Sequence, residues 1–143
     1  MNDEAVLREN MMRLETAKAQ LDGLSRQQQL IQLSIEEHVK ARETVKSLAK
    51  SSAGDELMVP IGADSYIYAR ASDRKDVIIG VGSDVSIQHG AEEAEKVLDG
   101  RVEELAQAFQ KISEMAAQTE AAIQELSEKI QQQYEKVQSG QMA

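Results

Sequence analysis

Residues 77–84 read VIIGVGSD, and the reading of this stretch decides the fold. β-Branched residues run into Gly80 and Gly82, as they do at a phosphate-cradling loop and equally at a hairpin turn. A dinucleotide loop needs a third glycine and a helix behind it. Here Val85 stands at the third position, and the residues that follow alternate as a strand does. The Gly-Lys-Ser/Thr of a P-loop is absent. The glycine pair therefore serves a bend between strands, and nucleotide chemistry is set aside.

Outward from that stretch, residues 56–89 alternate in the same manner. ELMVPIG (56–62), SYIYARA (65–71), DVIIGVG (76–82) and DVSIQHG (84–90) each read as a short strand rich in β-branched residues and Tyr. GAD at 62–64 and GSD at 82–84 carry turn residues, which predicts two hairpins. ASDRKD at 71–76 is a polar link between them, and Pro60 predicts an edge position or a bulge.

Farther out the period changes. Residues 3–52 contain no Pro and a single Gly, at position 23. One seam row is Leu7, Leu14, Leu21, Gln28, Ile35, Arg42, Ala49; the other is Asn10, Ala17, Leu24, Ile31, His38, Val45. That 3,4 spacing lays both rows on one narrow helical stripe. Asn2 or Asp3 can cap the start, and Gly54 is the expected stop. Residues 91–139 repeat the pattern through Leu98, Val102, Leu105, Phe109, Ile112, Ala116, Thr119, Ile123, Leu126, Ile130, Gln133 and Val137. Glu92, Glu93 and Glu95 suit the positive end of a helix dipole, Gly100 is a weak point, and Ser139–Gly140 is the expected end. Two helices of about 50 residues are each about 75 Å long. Each must cover its stripe, and the other helix of the same chain is the nearest partner. The predicted fold is mainly α with a small β part: a long antiparallel coiled-coil hairpin whose helices are joined by two β-hairpins. Residue i pairs with roughly 142 − i, which brings both chain ends to one tip. The expected organisation is a single elongated domain over 1–143, with helix 3–52, hairpins 56–89 and helix 91–139.

Composition agrees. In 143 residues there are one Pro, one Phe, three Tyr, no Trp and no Cys. So few aromatics favour an extended fold of aliphatic seams over a compact core. The lack of Cys removes disulfides, thiolate zinc sites and thiol nucleophiles. Neither a basic-then-apolar leader nor an apolar run near membrane length is visible, so a soluble intracellular protein is expected. The net charge of −9 is uneven. Residues 1–52 hold eight acids and eight bases, 53–90 six and three, and 91–143 eleven and five. No basic face stands out, which disfavours nucleic acid. His38 and His89 lack ligand spacing, the paired glutamates at 36–37, 92–93 and 103–104 read as solvated helix faces, and no nucleophile or cofactor constellation is present. The glutamine runs RQQQL and IQQQY keep the heptad, and Gln28 and Arg42 within the seam are expected to fix register or partner choice.

Two short hairpins cannot bury a face alone. Leu57, Val59 and Ile61 alternate toward one face, and Val77, Ile79, Val81, Val85 and Ile87 form similar sets. Open edges beside an apolar face predict association through the strands.

Helix, two hairpins, helix resembles the α-type subunits of the prefoldin family, of the archaeal kind. The resemblance is carried by LMVPIGADSYIYA at 57–69 and DVIIGVGSDVSIQHGAEEAEKVL at 76–98 between two heptad helices. It spans essentially the whole chain, and two hairpins rather than one point to the α type. It implies an ATP-independent co-chaperone in the cytosol, with no enzyme activity, cofactor or metal. It implies that two α and four β-type subunits join their hairpins into a double β-barrel, through Leu57, Val59, Ile61, Tyr66, Tyr68, Val77, Ile79, Val81, Val85 and Ile87 here. It also implies that coiled-coil tips hold unfolded polypeptide for delivery to a group II chaperonin. The tip residues would be Val6, Leu7, Met11, Met12, Leu14, Ile130, Tyr134 and Val137, with Met142 beside them. Met side chains suit a surface that accepts many partners. Leu7, Leu14, Ile130 and Val137 also lie on seam rows and are expected chiefly to close the coiled coil. A coiled-coil scaffold or tether without client holding shares this architecture and stays open as the alternative.

Overall fold

The computed structural model describes residues 2–142, and side chains over 2–140. The order is α1 (Asn2–Lys50), β1 (Glu56–Gly62), β2 (Ser65–Arg70), β3 (Asp76–Gly82), β4 (Val85–Gly90) and α2 (Ala91–Met142). The chain divides into two compact units, one made of residues up to 31 with those from 108 onward, the other of residues 32–107.

In the first unit the two helices run antiparallel with their seam rows turned inward. Every seam position named above is buried or half-buried in this unit, with Leu24 and Ala116 the most covered apolar side chains. Two polar pairs cross the seam. Asn10 Nδ2 donates to Gln133 Oε1 at 2.9 Å, and Gln28 Nε2 donates to Ser113 Oγ at 2.9 Å. The residue numbers in these pairs add to 143 and 141, within one of the expected register. Neither Gly100 nor Gly140 interrupts α2. The expected end at Ser139–Gly140 is not where the helix stops, because a helical glycine weakens a helix by about 1 kcal/mol without forbidding it.

The second unit holds the hairpins. α1 ends at Lys50, two residues before the expected boundary and four before Gly54. Ser51 is the cause: its backbone N (3.1 Å) and Oγ (2.7 Å) both donate to Leu48 O, closing the last turn. Gly54 instead donates to Ala71 O at 2.7 Å, at the base of the first hairpin. β1 pairs with β2 and β3 with β4, both antiparallel, as two separate two-stranded sheets. Both hairpins turn through two residues with positive φ, Ala63 and Asp64 in one and Ser83 and Asp84 in the other. That is the primed geometry that matches strand twist. Gly62 (φ 96°) and Gly82 (φ 98°) precede the turns, where a side chain would be strained. The glycine pair of the opening stretch thus splits its work: Gly82 leads into the turn, and Gly80 stands where the register shifts.

The same shift occurs between Pro60 and Gly62, so the bulge expected at Pro60 is present and has a counterpart. It leaves Ile61 and Val81 without ladder partners. The strict alternation expected of Leu57, Val59 and Ile61 therefore ends at Val59, and both Ile61 and Val81 are exposed. The core of this unit is Val45, Ile79, Ala91, Ala94 and Leu98, flanked by Ala41, Leu48, Ala49, Val77 and Val97. Arg42 Nη1 reaches Asp99 Oδ1 at 3.3 Å, in the register of the first unit's pairs.

Candidate functional site

Two apolar surfaces stand out, one in each unit. On the first, Val6, Met11 (51%), Met12 (66%) and Tyr134 (54%) are exposed. Leu7, Leu14, Ile130 and Val137 are half-buried in the seam. The sequence-derived tip residues thus split as their heptad positions dictate: seam residues pack, and off-seam residues face water. Tyr134 is held by its own helix, with Gln138 Nε2 donating to the phenolic oxygen at 3.0 Å. Arg13 and Glu9 form an exposed i,i+4 pair at 3.0 Å beside the methionines. Met142, named with the tip on sequence grounds, has a side chain outside the described ones.

On the second surface, cross-strand partners point to the same face of a hairpin. In β1–β2, the pairs Met58–Tyr68 and Pro60–Tyr66 share the outer face, and Leu57–Ala69 and Val59–Ile67 the inner one. Leu57, Val59 and Ala69 are half-buried, whereas Met58, Tyr66, Ile67 and Tyr68 (73%) are exposed. In β3–β4, Ile78–Gln88 lies on the outer face, and Val77–His89 and Ile79–Ile87 on the inner. Ile79 is 6% exposed and belongs to the chain's own core, with Val77 packed against it. Val81, Val85, Ile87 and Ile78 (72%) face water. The residues named for association are therefore of three kinds. Ile79 and Val77 are occupied within the chain; Leu57 and Val59 are half-buried; Ile61, Tyr66, Tyr68, Val81, Val85 and Ile87 are exposed on the surface. Met58, Ile67 and Ile78 are exposed too and lie outside the sequence-based expectation, although their alternation with the named positions is an available signal.

Local contacts set each hairpin against the helices. Arg101 Nη2 donates to Gly80 O at 2.7 Å, at the bulge of β3. Lys40 Nζ approaches Asp64 Oδ1 at 3.5 Å, at the turn of the first hairpin. A groove lies between the outer face of α1 and that hairpin, lined by Leu33, Lys40, Ala41, Thr44, Val59, Pro60 and Tyr66. Lys75 Nζ donates to Ala49 O at 3.3 Å, covering a carbonyl at the end of α1.

No group of three or more potential metal ligands converges among the described residues. His38 places Nδ1 2.7 Å from Ser34 O one turn back, and His89 sits in the β4 ladder opposite Val77. No described helix is long and apolar enough to cross a membrane. What this arrangement can do is bind apolar matter through the exposed thioethers and Tyr of one surface, and pair with further strands along the edges of the two-stranded sheets on the other.

The Prefoldin family model, described as a prefoldin subunit, matches residues 17–136. The chain is 36% identical over 96 residues to prefoldin subunit alpha of Methanothrix thermoacetophila, covering 67% of this chain and 63% of that protein, just under two thirds of its length. It is 30% identical over 119 residues to prefoldin subunit alpha of Pyrococcus horikoshii, covering 82% of this chain and 80% of that one. A cryo-EM structure of filamentous PFD from Methanocaldococcus jannaschii shares the fold, with a TM-score of 0.63 at 22% identity over 85% of this chain and 98% of that one.

Proposed function

Because the chain belongs to the prefoldin family, we propose that it is an ATP-independent co-chaperone subunit that holds unfolded polypeptide and delivers it to a group II chaperonin. The family is one of chaperones rather than enzymes, and this chain works without a catalytic site or cofactor. Its partners are β-type prefoldin subunits, four to every two copies of this chain, and it acts in the cytoplasm. The whole chain serves as one subunit, with hairpins for assembly and a tip for clients.

The observation that carries this reading is the exposure of Met11, Met12 and Tyr134 beside a half-buried seam. Two flexible thioethers and an aromatic ring, open to water at one end of a helix pair, bind apolar segments without demanding one shape. Leu7, Leu14, Ile130 and Val137 chiefly close the seam, and Leu7 and Val137, nearest the chain ends, also contribute to client binding when it parts. Ile61, Tyr66, Tyr68, Val81, Val85 and Ile87 meet neighbouring subunits, while Leu57, Val59, Val77 and Ile79 set the strands for them.

The test is suppression of aggregation of a chemically unfolded protein by the native assembly. Met11→Ser with Met12→Ser lowers holding several-fold and leaves the mass of the assembly unchanged. Holding that is unchanged overturns the tip assignment for these residues. An intact assembly that never suppresses aggregation favours the tether instead.

A further inference from the structure

Asn10 is the one buried polar side chain described in the first unit, at 6% exposure. It occupies a seam position, and its bond to Gln133 makes a wholly polar layer in an otherwise largely apolar stripe. Leu14 and Ile130 lie on the inner side of this layer; Leu7 and Val137 lie on the side toward the chain ends, and all four are only half-buried. Beyond the layer α1 retains Asn2–Glu9, about two turns, and α2 a similar length. Helical segments so short do not persist alone in water.

A leucine pair resists separation because parting exposes apolar surface. An amide pair does not, because water replaces each lost hydrogen bond. An Asn in a coiled-coil seam lowers stability while restricting register. Placed two turns from the ends, it confines that weakness to the ends.

We propose that the Asn10–Gln133 layer is a release point at which the final two turns of each helix part, freeing Leu7 and Val137 to join Val6, Met11 and Tyr134 as one client-binding surface. This rests on the tip reading above and adds to it: the seam inward of the layer stays closed, and the seam outward of it is shared between packing and client. Off-seam and seam residues then act together only in the open state.

The experiment is hydrogen exchange and aggregation suppression on the full chain in its native assembly. Asn10→Leu with Gln133→Leu makes the layer apolar. Exchange over residues 2–9 and 134–140 slows tenfold or more, and holding falls at least threefold. The exchanged pair, Asn10→Gln with Gln133→Asn, keeps a polar layer and retains both properties. Because the chain has no native Cys, Asn10→Cys with Gln133→Cys can also be joined by a short thiol crosslinker. Holding falls on crosslinking within a single, already folded sample. Exchange that does not slow in the leucine pair overturns the proposal, as does full holding in the leucine pair or the crosslinked tip. If the Met11 and Met12 substitutions abolish holding while a locked tip does not, the tip reading stands and the release point fails. If neither changes holding, both fail.

Discussion

The hairpins β1–β2 and β3–β4 repeat one backbone plan twenty residues apart. Register, bulge, positive-φ turn and the closing bonds from Ala71 to Asp55 and from Ala91 to Lys75 all recur at that offset. Their attachments differ. At the matched inner position, Val59 is half-buried while Ile79 is in the core with Val45 and Leu98. At the bulge, the Gly80 carbonyl accepts from Arg101 Nη2 at 2.7 Å, and no matching bond to the Pro60 carbonyl is among the described ones. The first hairpin is left with the long Lys40–Asp64 approach, its Asp almost fully solvated. A shared backbone thus yields one anchored hairpin and one loosely held. The loosely held one carries the large outer face of Met58, Tyr66 and Tyr68. Side-chain volume at one inner position and one carbonyl contact account for the difference.

The sharpest way to break this contrast is at its matched inner positions. Ile79→Ala empties a core site and costs about 3 kcal/mol, whereas Val59→Ala costs about 1 kcal/mol or less. Urea denaturation measures both, and equal losses would erase the asymmetry. Next comes Arg101→Ala, with an expected loss of about 1–2 kcal/mol. Amide exchange should quicken in β3 and β4 and stay unchanged in β1 and β2. The reverse pattern would place the anchor elsewhere. Ala63→Gly works in the opposite direction. A Cβ at φ 53° is strained, so relief should stabilise the first hairpin by about 0.5–1 kcal/mol and slow its exchange toward that of the second. Lys40→Ala should change stability by less than about 0.5 kcal/mol, because an exposed pair of this length contributes little. A larger loss would show that the first hairpin is also tied down.

The helical seams were legible because burial in a helix pair imposes a period, and Leu24, Val45, Leu98 and Ala116 all fall on it. The hairpins were legible through alternation and turn residues. Pro60 signalled its bulge, but Gly80 gave no matching signal, since a glycine fits many strand conformations. Helix ends were the least legible. Ser51 closes α1 by hydrogen bonds to Leu48, a local geometry that the heptad does not encode. Register residues were half visible. Gln28 and Arg42 stand out in the sequence as polar intruders and do find partners across the seam, Ser113 and Asp99. Asn10 and Gln133 also stand in seams, one on each helix, and only pairing the two helices by index joins them. Arg101 was out of reach, because its acceptor is a backbone carbonyl on another element. At the tip, heptad position separated packed from exposed side chains.

The central claim is that this chain assembles through its hairpins and holds clients at its tip. It is tested most directly by native mass spectrometry of the tagged chain recovered from its own cells, with and without a chemically unfolded protein. The account predicts a complex of two copies with four of a smaller coiled-coil subunit, shifted by the mass of the added protein. A lone chain or homodimer, or a hetero-complex whose mass the unfolded protein never changes, would contradict it.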